Sequence, residues 1–220
     1  NNRDLFPKDF MIRVPVPDNY LGQDYYFPIE RDNSKTIHPV VTIDDNETYM
    51  LDLSHKSDSR IKKGLAPSLK EAIRAFIISN SLRDFRGDKG EHKTMMINIS
   101  HYALTQNSLS ILVDDYLKEI KNSIENIIGD KKNRLNNSSI QKLEKTFKAN
   151  FDVKENFEDV LDNIWASATK IKVLAVNTKS KQVLDYDMYP DGLSAIVIGG
   201  LKLSRGLTLS GLPVSYFARS

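Results

Sequence analysis

The chain contains no cysteine among its 220 residues. This excludes disulfides, thiolate metal centres and a cysteine nucleophile, and it fits a reducing, cytoplasmic setting. Tryptophan occurs once, and the four histidines (His38, His55, His92 and His101) share no metal-ligand spacing, so no metal site is expected. Long apolar runs are missing: no stretch approaches the ~20 residues that span a bilayer. Residues 1–20 are mixed polar and charged, without a signal-peptide core. A membrane partner is therefore not expected. The GxxxxGK(S/T) phosphate loop is also missing, since residues 87–93 and 199–206 both fail the pattern. The usual primary site for a nucleoside triphosphate is not in this chain. The two signs of charge nearly cancel, with Lys and Arg at 31 against Asp and Glu at 29, a net +2. Any nucleic-acid contact must rest on local basic patches.

What is present has the composition of an ordinary globular protein, 40% hydrophobic and 27% charged. Residues 1–66 carry Pro7, Pro15, Pro17, Pro28 and Pro39, which break helices and interior strands alike. They read as an extended amino-terminal arm anchored by Phe6, Phe10, Tyr20, Tyr25, Tyr26 and Phe27. Residues 25–29 and 48–53 are candidate edge strands, and 52–63 a polar, mobile loop. From Pro67 the pattern becomes regular. Ser68 with Glu71 forms a capping-box pair, and Leu69, Ile73, Phe76, Ile77 and Leu82 make a helical stripe ended by Gly87 and Gly90. Residues 94–99 suit a buried strand whose polar end is Asn98, Ser100 and His101. Leu109, Leu112, Val113, Tyr116, Leu117, Ile120, Ile124 and Ile127 space out a long amphipathic helix.

Two further helices follow. One is marked by Ile140, Leu143 and Phe147 and capped by Asn137 or Ser138; the other by Phe157, Val160, Leu161, Ile164, Trp165 and Ala168. Residues 171–176 are apolar enough for a strand, 183–190 form a loop with room for another, and two more apolar runs close the chain. This order describes an α/β fold with a parallel sheet and flanking helices over 67–220, carrying a helical insertion at about 130–170.

The most informative stretch is the last. An apolar run at 195–198 leads into Gly199-Gly200 and a polar turn with Lys202, Ser204 and Arg205, and a second apolar run follows at 214–217. No acidic residue occurs from Gly192 to Ser220, whereas Lys202, Arg205 and Arg219 are basic. Ligands bind parallel sheets at the carboxyl ends of the strands, where glycine turns offer backbone N–H groups to anions. The stretch therefore has the chemistry of a phosphate-contacting loop, and equally fits a glycine turn between two core strands. His101, at the end of a core strand, either faces a ligand or is a satisfied polar group. Two acid-x-Lys triplets, Glu119-Ile120-Lys121 and Asp152-Val153-Lys154, fall on a helix and between helices rather than on the strand a restriction-type nuclease requires. Asp114 and Asp115 read as the outer face of their helix.

These residues carry a resemblance. Gly199-Gly200, Leu203-Ser204-Arg205-Gly206-Leu207-Thr208-Leu209, Gly211-Leu212 and Val214-Ser215-Tyr216-Phe217 resemble the signature of the Z-one domain. That is a bacterial and archaeal family associated with superfamily-two helicases and described as endonucleases. Asp4-Leu5-Phe6-Pro7 with Tyr20, Gly22 and Phe27 agrees, as do Leu69-Lys70-Glu71-Ala72-Ile73 and residues 95–100. The LSRGLTL run is the specific part.

The resemblance implies a RecA-like second helicase lobe. Residues 95–100 would be its first strand and motif four, with Ser100 and His101 as contacts. The Ser204-Arg205-Gly206 turn would be motif five, which touches the nucleic-acid backbone and couples it to the nucleotide. Gly200, Ser204, Arg205, Gly206 and Thr208 are the implied phosphate contacts, joined by Lys202 from the basic turn; Arg205 could equally make a buried structural pair. No catalytic residue is assigned. Beginning at Asn1 and stopping before the family's arginine-bearing segment, the chain reads as a fragment of a longer protein. ATP and magnesium would sit mainly on a first lobe of the same polypeptide, the fragment would hold neither, and its binding to DNA would be weak. Two other readings stay open. One is a metal-dependent DNA endonuclease. The other is a non-catalytic module that docks a partner through Trp165 and Phe157.

Overall fold

Four short apolar segments pair in parallel: β1 (Lys93–Asn98), β2 (Lys172–Val176), β3 (Ser194–Gly199) and β4 (Val214–Phe217), in the spatial order β2-β3-β1-β4. The structure, a computed structural model, describes residues 39–52, 54–127, 129–130, 133–177, 184–200, 203 and 208–218. The chain divides into two compact units, Asn1–Thr42 and Ile43–Ser220. Residues 43–66 fall within the second unit because Met50, Leu51, Leu65 and Ala66 are buried in its core. The aromatic anchors expected at 6–27 and the edge strand expected at 25–29 lie outside the described residues.

β1 and β3 are the central strands. Lys93 stands opposite Ser194 and Ile97 opposite Ile198; β2 pairs with the other side of β3 and β4 with the other side of β1. Successive side chains alternate between faces. Met95, Ile97, Ile196, Ile198 and Tyr216 join one core cluster, while Ala195, Val197 and Val176 join a second. The first cluster is built against helices α2 (Pro67–Phe85), α3 (Ala103–Glu125), α4 (Ser138–Asn150) and α5 (Phe157–Thr169). Among the described residues the second face is covered by Leu184, Leu193 and Leu203, with Tyr186, Tyr189 and Leu209 packed against them.

The α3 stripe is as the spacing predicts, with Leu109, Val113, Leu117, Ile120 and Ile124 buried. Helices α4 and α5 stand between α3 and β2. Asn137 caps α4 by accepting from Ser139 and Ile140 N–H, and Asn156 with Asp159 forms a capping box on α5.

Three local expectations change. The start of α2 is not capped from within. Pro67 sets the first turn early, with Ala66 at the N-cap, so Ser68 lies inside the helix. The cap arrives from another segment: Ser68 donates its N–H to Asp45 Oδ2 at 2.8 Å and its Oγ–H to Asp45 Oδ1 at 2.5 Å. Glu71 instead accepts from Asn150 Nδ2 at 2.9 Å. Residues 48–49, expected in an edge strand, complete a one-turn helix α1 (Asn46–Tyr49), because Met50 N–H closes onto Asn46 O at 2.7 Å. Residues 184–190 hold a 3-10 turn, Tyr186–Met188, rather than a strand.

Candidate nucleic-acid interface

Because β1 and β3 are neighbours, their carboxyl ends meet. β1 runs out through Asn98, Ile99 and Ser100, all buried, to an exposed His101. β3 runs out through Gly199 and Gly200. A Cβ on Gly200 would stand 2.8 Å from Gln106 Nε2, 2.9 Å from His101 Cα and 3.0 Å from Ser100 O. A Cβ on Gly199 would meet Leu203 Cγ at 2.7 Å and Val176 O at 2.8 Å. The paired glycines are thus required by close approach on both sides. Leu203, the first residue of the LSRGLTL run, is buried on Gly199 and donates its N–H to Gly200 O at 3.0 Å.

Ser100 is tied down by three contacts. Its Oγ accepts from Tyr102 N–H at 3.1 Å, its carbonyl accepts from Gln106 Nε2 at 2.9 Å, and its Oγ lies 2.8 Å from His55 Nε2. His55 Nδ1 lies 2.8 Å from the Asp52 carbonyl. A carbonyl only accepts, so Nδ1 carries a proton, and Nε2 shares a hydrogen bond with the Ser100 hydroxyl. Serine, histidine and a third orienting group in line is the geometry of an activated nucleophile. A nucleophile needs an open approach, however, and Ser100 is 1% exposed with both functions of its hydroxyl engaged. The arrangement is a tether that fastens the 52–63 loop to the end of β1. That loop is closed at its base by Lys62 N–H on Met50 O at 3.0 Å and Lys63 N–H on Tyr49 O at 2.8 Å.

Around the tether three rings gather. His101 and Tyr102 have centroids 3.9 Å apart, and His55 lies 6.4 Å from His101 and 5.7 Å from Tyr102. Tyr102 is also the N-cap of α3, a helix of 23 residues whose first backbone bond is Gln106 N–H to Tyr102 O. The N–H groups of the preceding turn and the positive end of the helix dipole therefore face the same edge. Among the described residues the buried Gln106 Oε1 and Thr105 Oγ1 lack a partner. No acidic residue occurs from Thr94 to Val113. The carboxylate of Asp52 is paired with Lys62 at 2.6 Å. Among the described residues this edge carries the backbone N–H groups at the start of α3 and the exposed His101 imidazole, donors suited to phosphate oxygens.

The structure thus brings Ser100, His101 and Gly200 together. Thr208 is exposed on the return path to β4: the nearby Ser210 N–H donates to Tyr186 OH at 3.0 Å, and Gly211 O accepts from Thr94 N–H at 2.9 Å, at the opposite end of β1. Lys202, Ser204, Arg205 and Gly206 lie outside the described residues. Sequence reasoning missed His55, Tyr102 and Gln106. His55 is 45 positions from Ser100, and nothing local announces it. Tyr102 and Gln106 follow the polar strand end directly and were open to notice there.

Glu119 and Lys121 lie on α3, and Asp152 and Lys154 lie between α4 and α5, none of them on a described strand; Lys121 Nζ donates to the Ile171 carbonyl at 3.2 Å, beside the start of β2. Among the described residues no three His, Cys, Asp or Glu side chains gather as a metal site, and no helix is long and apolar enough to cross a membrane. Phe157 is buried in the main core, with Trp165 packed partly buried against it.

The family model of the Z1 domain matches residues 68–220. The chain belongs to the Z1 domain family. This is the Z-one family whose signature the LSRGLTL run resembles. No curated protein and no solved structure matches the chain. The Z1 match begins inside α2 and takes in the four described strands, so Ser100, His101, Tyr102, Gln106 and Gly200 belong to the Z1 domain. His55 reaches the site from outside the matched region.

Proposed function

We propose that this Z1 domain is the RecA-like second lobe of a helicase-type ATPase acting on DNA, the lobe that senses the nucleic-acid backbone and couples it to nucleotide. The observation that carries this reading is the meeting of β1 and β3 at Ser100 and Gly200. Two glycines, the N-terminus of a long helix and the exposed His101 imidazole meet there, from stretches of the sequence (94–113 and 192–220) that hold no acidic residue. Backbone N–H groups at a helix start favour phosphate, and contacts of this kind give sequence-independent, salt-dependent affinity. Lys202 and Arg205, which follow Gly200 in the sequence, would on this reading add positive charge. On this reading ATP and its metal sit mainly on a first lobe, and closure of the two lobes moves the DNA.

The test is ATP hydrolysis by a polypeptide that carries this domain with the proposed first lobe, with and without single-stranded and duplex DNA, comparing wild type with Arg205→Ala. DNA-stimulated hydrolysis that collapses in the variant supports the coupling role. Hydrolysis indifferent to Arg205, or none at all, removes it.

A further inference from the structure

Phosphate contacts leave the flat faces of the three rings at the end of β1 unused. We infer that His101 and Tyr102, with His55 edge-on beside them, form a stacking platform for an unpaired base of single-stranded DNA. The inference rests on the DNA-backbone reading and narrows it to strand type.

Position and rigidity come first. Tyr102 is held at both ends of its peptide unit, its N–H on Ser100 Oγ at 3.1 Å and its carbonyl on Gln106 N–H at 3.1 Å. The His101 ring lies on Tyr102 with centroids 3.9 Å apart and planes inclined by 40°. His55 meets the Tyr102 ring edge-on, at 78°, and is itself fixed by Ser100 and Asp52. A platform whose backbone is fixed before the ligand arrives loses little further freedom on binding. His101 is exposed while Tyr102 covers one side of it, so among the described residues the outer side of the imidazole is open to a flat ligand.

Chemistry comes second. Every base has a π-face, and stacking on an aromatic side chain is tolerant of sequence. In a duplex those faces are already covered by neighbouring base pairs. An unpaired base can leave its neighbours and lie on His101 while the adjoining phosphates reach the start of α3 and the Gly200 turn. The platform thus selects single strands, which phosphate contacts alone cannot do.

A fluorescein-labelled single-stranded oligodeoxynucleotide carrying one 2-aminopurine tests this with the full chain at low salt. Anisotropy reads binding by any contact, and 2-aminopurine quenching reads stacking. Wild type should quench the probe, and millimolar ATP should leave the quench in place. His101→Ala, at an exposed position where the fold tolerates it, should abolish the quench and weaken binding by about 10-fold. His101→Phe should restore both, because a phenyl ring stacks and a methyl group does not. Binding by anisotropy without quenching, or a quench unchanged in His101→Ala, overturns the platform and leaves the phosphate reading standing. Displacement of the quench by ATP overturns it in favour of a mononucleotide pocket. No anisotropy change at all removes both the platform and the proposed function.

Discussion

Gly200 and His101 touch backbone to backbone. A Cβ on Gly200 would lie 2.9 Å from His101 Cα, a separation at which something must shift. Gln106 Nε2, at 2.8 Å, is the end of a side chain, but the His101 Cα and the Ser100 carbonyl oxygen are backbone and cannot swing away. The strand ends that make the candidate interface are therefore set by a missing side chain.

Gly200→Ala should destabilise the chain by about 1–3 kcal/mol, the usual cost of overpacking, and displace His101. Urea denaturation measures the first effect and the 2-aminopurine quench the second. Gly90→Ala is the control, since nothing lies within 4 Å of its Cβ position. It should leave stability within about 0.5 kcal/mol of wild type or raise it slightly.

Lys93 and Asp84 form a buried pair, Nζ to Oδ1 at 2.5 Å, with side chains only 5% and 8% exposed. Asp84 also accepts from Ser167 Oγ at 2.6 Å, so the pair links β1, α2 and α5. Lys93→Met leaves a buried carboxylate with one hydroxyl and should cost about 3–5 kcal/mol in urea denaturation. Changing Asp84 to Leu in the same chain should recover much of that loss, because an uncharged pair has no desolvation to offset. If the double variant is no more stable than Lys93→Met, the cost lies in packing and not in charge.

Asp45→Ala removes the cap that α2 receives from outside, leaving the Ser68 N–H and hydroxyl without their acceptor. The expected loss is about 1–2 kcal/mol, measured by thermal or urea unfolding. Ser68→Ala should cost less, since its N–H still reaches Asp45. Equal losses would show the hydroxyl, with its 2.8 Å contact to Tyr216 OH, to be the dominant partner.

Arg86 grips Glu155 with two bonds, Nε to Oε1 at 2.7 Å and a terminal nitrogen to Oε2 at 2.9 Å. The guanidinium holds the Glu155 carboxyl down at about 2, from an ordinary 4.5. A carboxylate whose folded value is depressed stabilises the fold above its unfolded value and loses that contribution as pH falls through the folded one. The contribution is thus complete above about pH 5 and fades between about 4.5 and 2. An NMR titration of Glu155 should show a midpoint near 2 in wild type and an ordinary carboxylate value in Arg86→Ala. The stability gap between the two proteins should close over that acid range, and salt should narrow it at any pH.

Much of the fold was legible because it depends on local periodicity. The α3 stripe from Leu109 to Ile124, the Asn137 cap and the polar end of β1 at Ser100 are each specified within a few residues, and the structure keeps them. Where a partner arrives from far along the chain, reading failed. Ser68 looked like a cap because the sequence shows Glu71 three residues on; it does not show that Asp45 will be brought to the same place. Residues 48–49 looked like strand because a run of that composition suits either state, and a single backbone closure decided it.

The candidate site divides in the same way. By itself the sequence determined that a glycine pair follows a core strand, that no acidic residue lies near it, and that the chain carries the Z1 signature. Each of these is written in consecutive residues. Only the tertiary structure decided that β3 lies beside β1, and so that Gly200 meets His101. Only it brought His55 across 45 residues to tether Ser100 and complete the ring cluster. Strand order and loop docking follow from which apolar faces can be buried together, a property of the whole chain that no short stretch encodes.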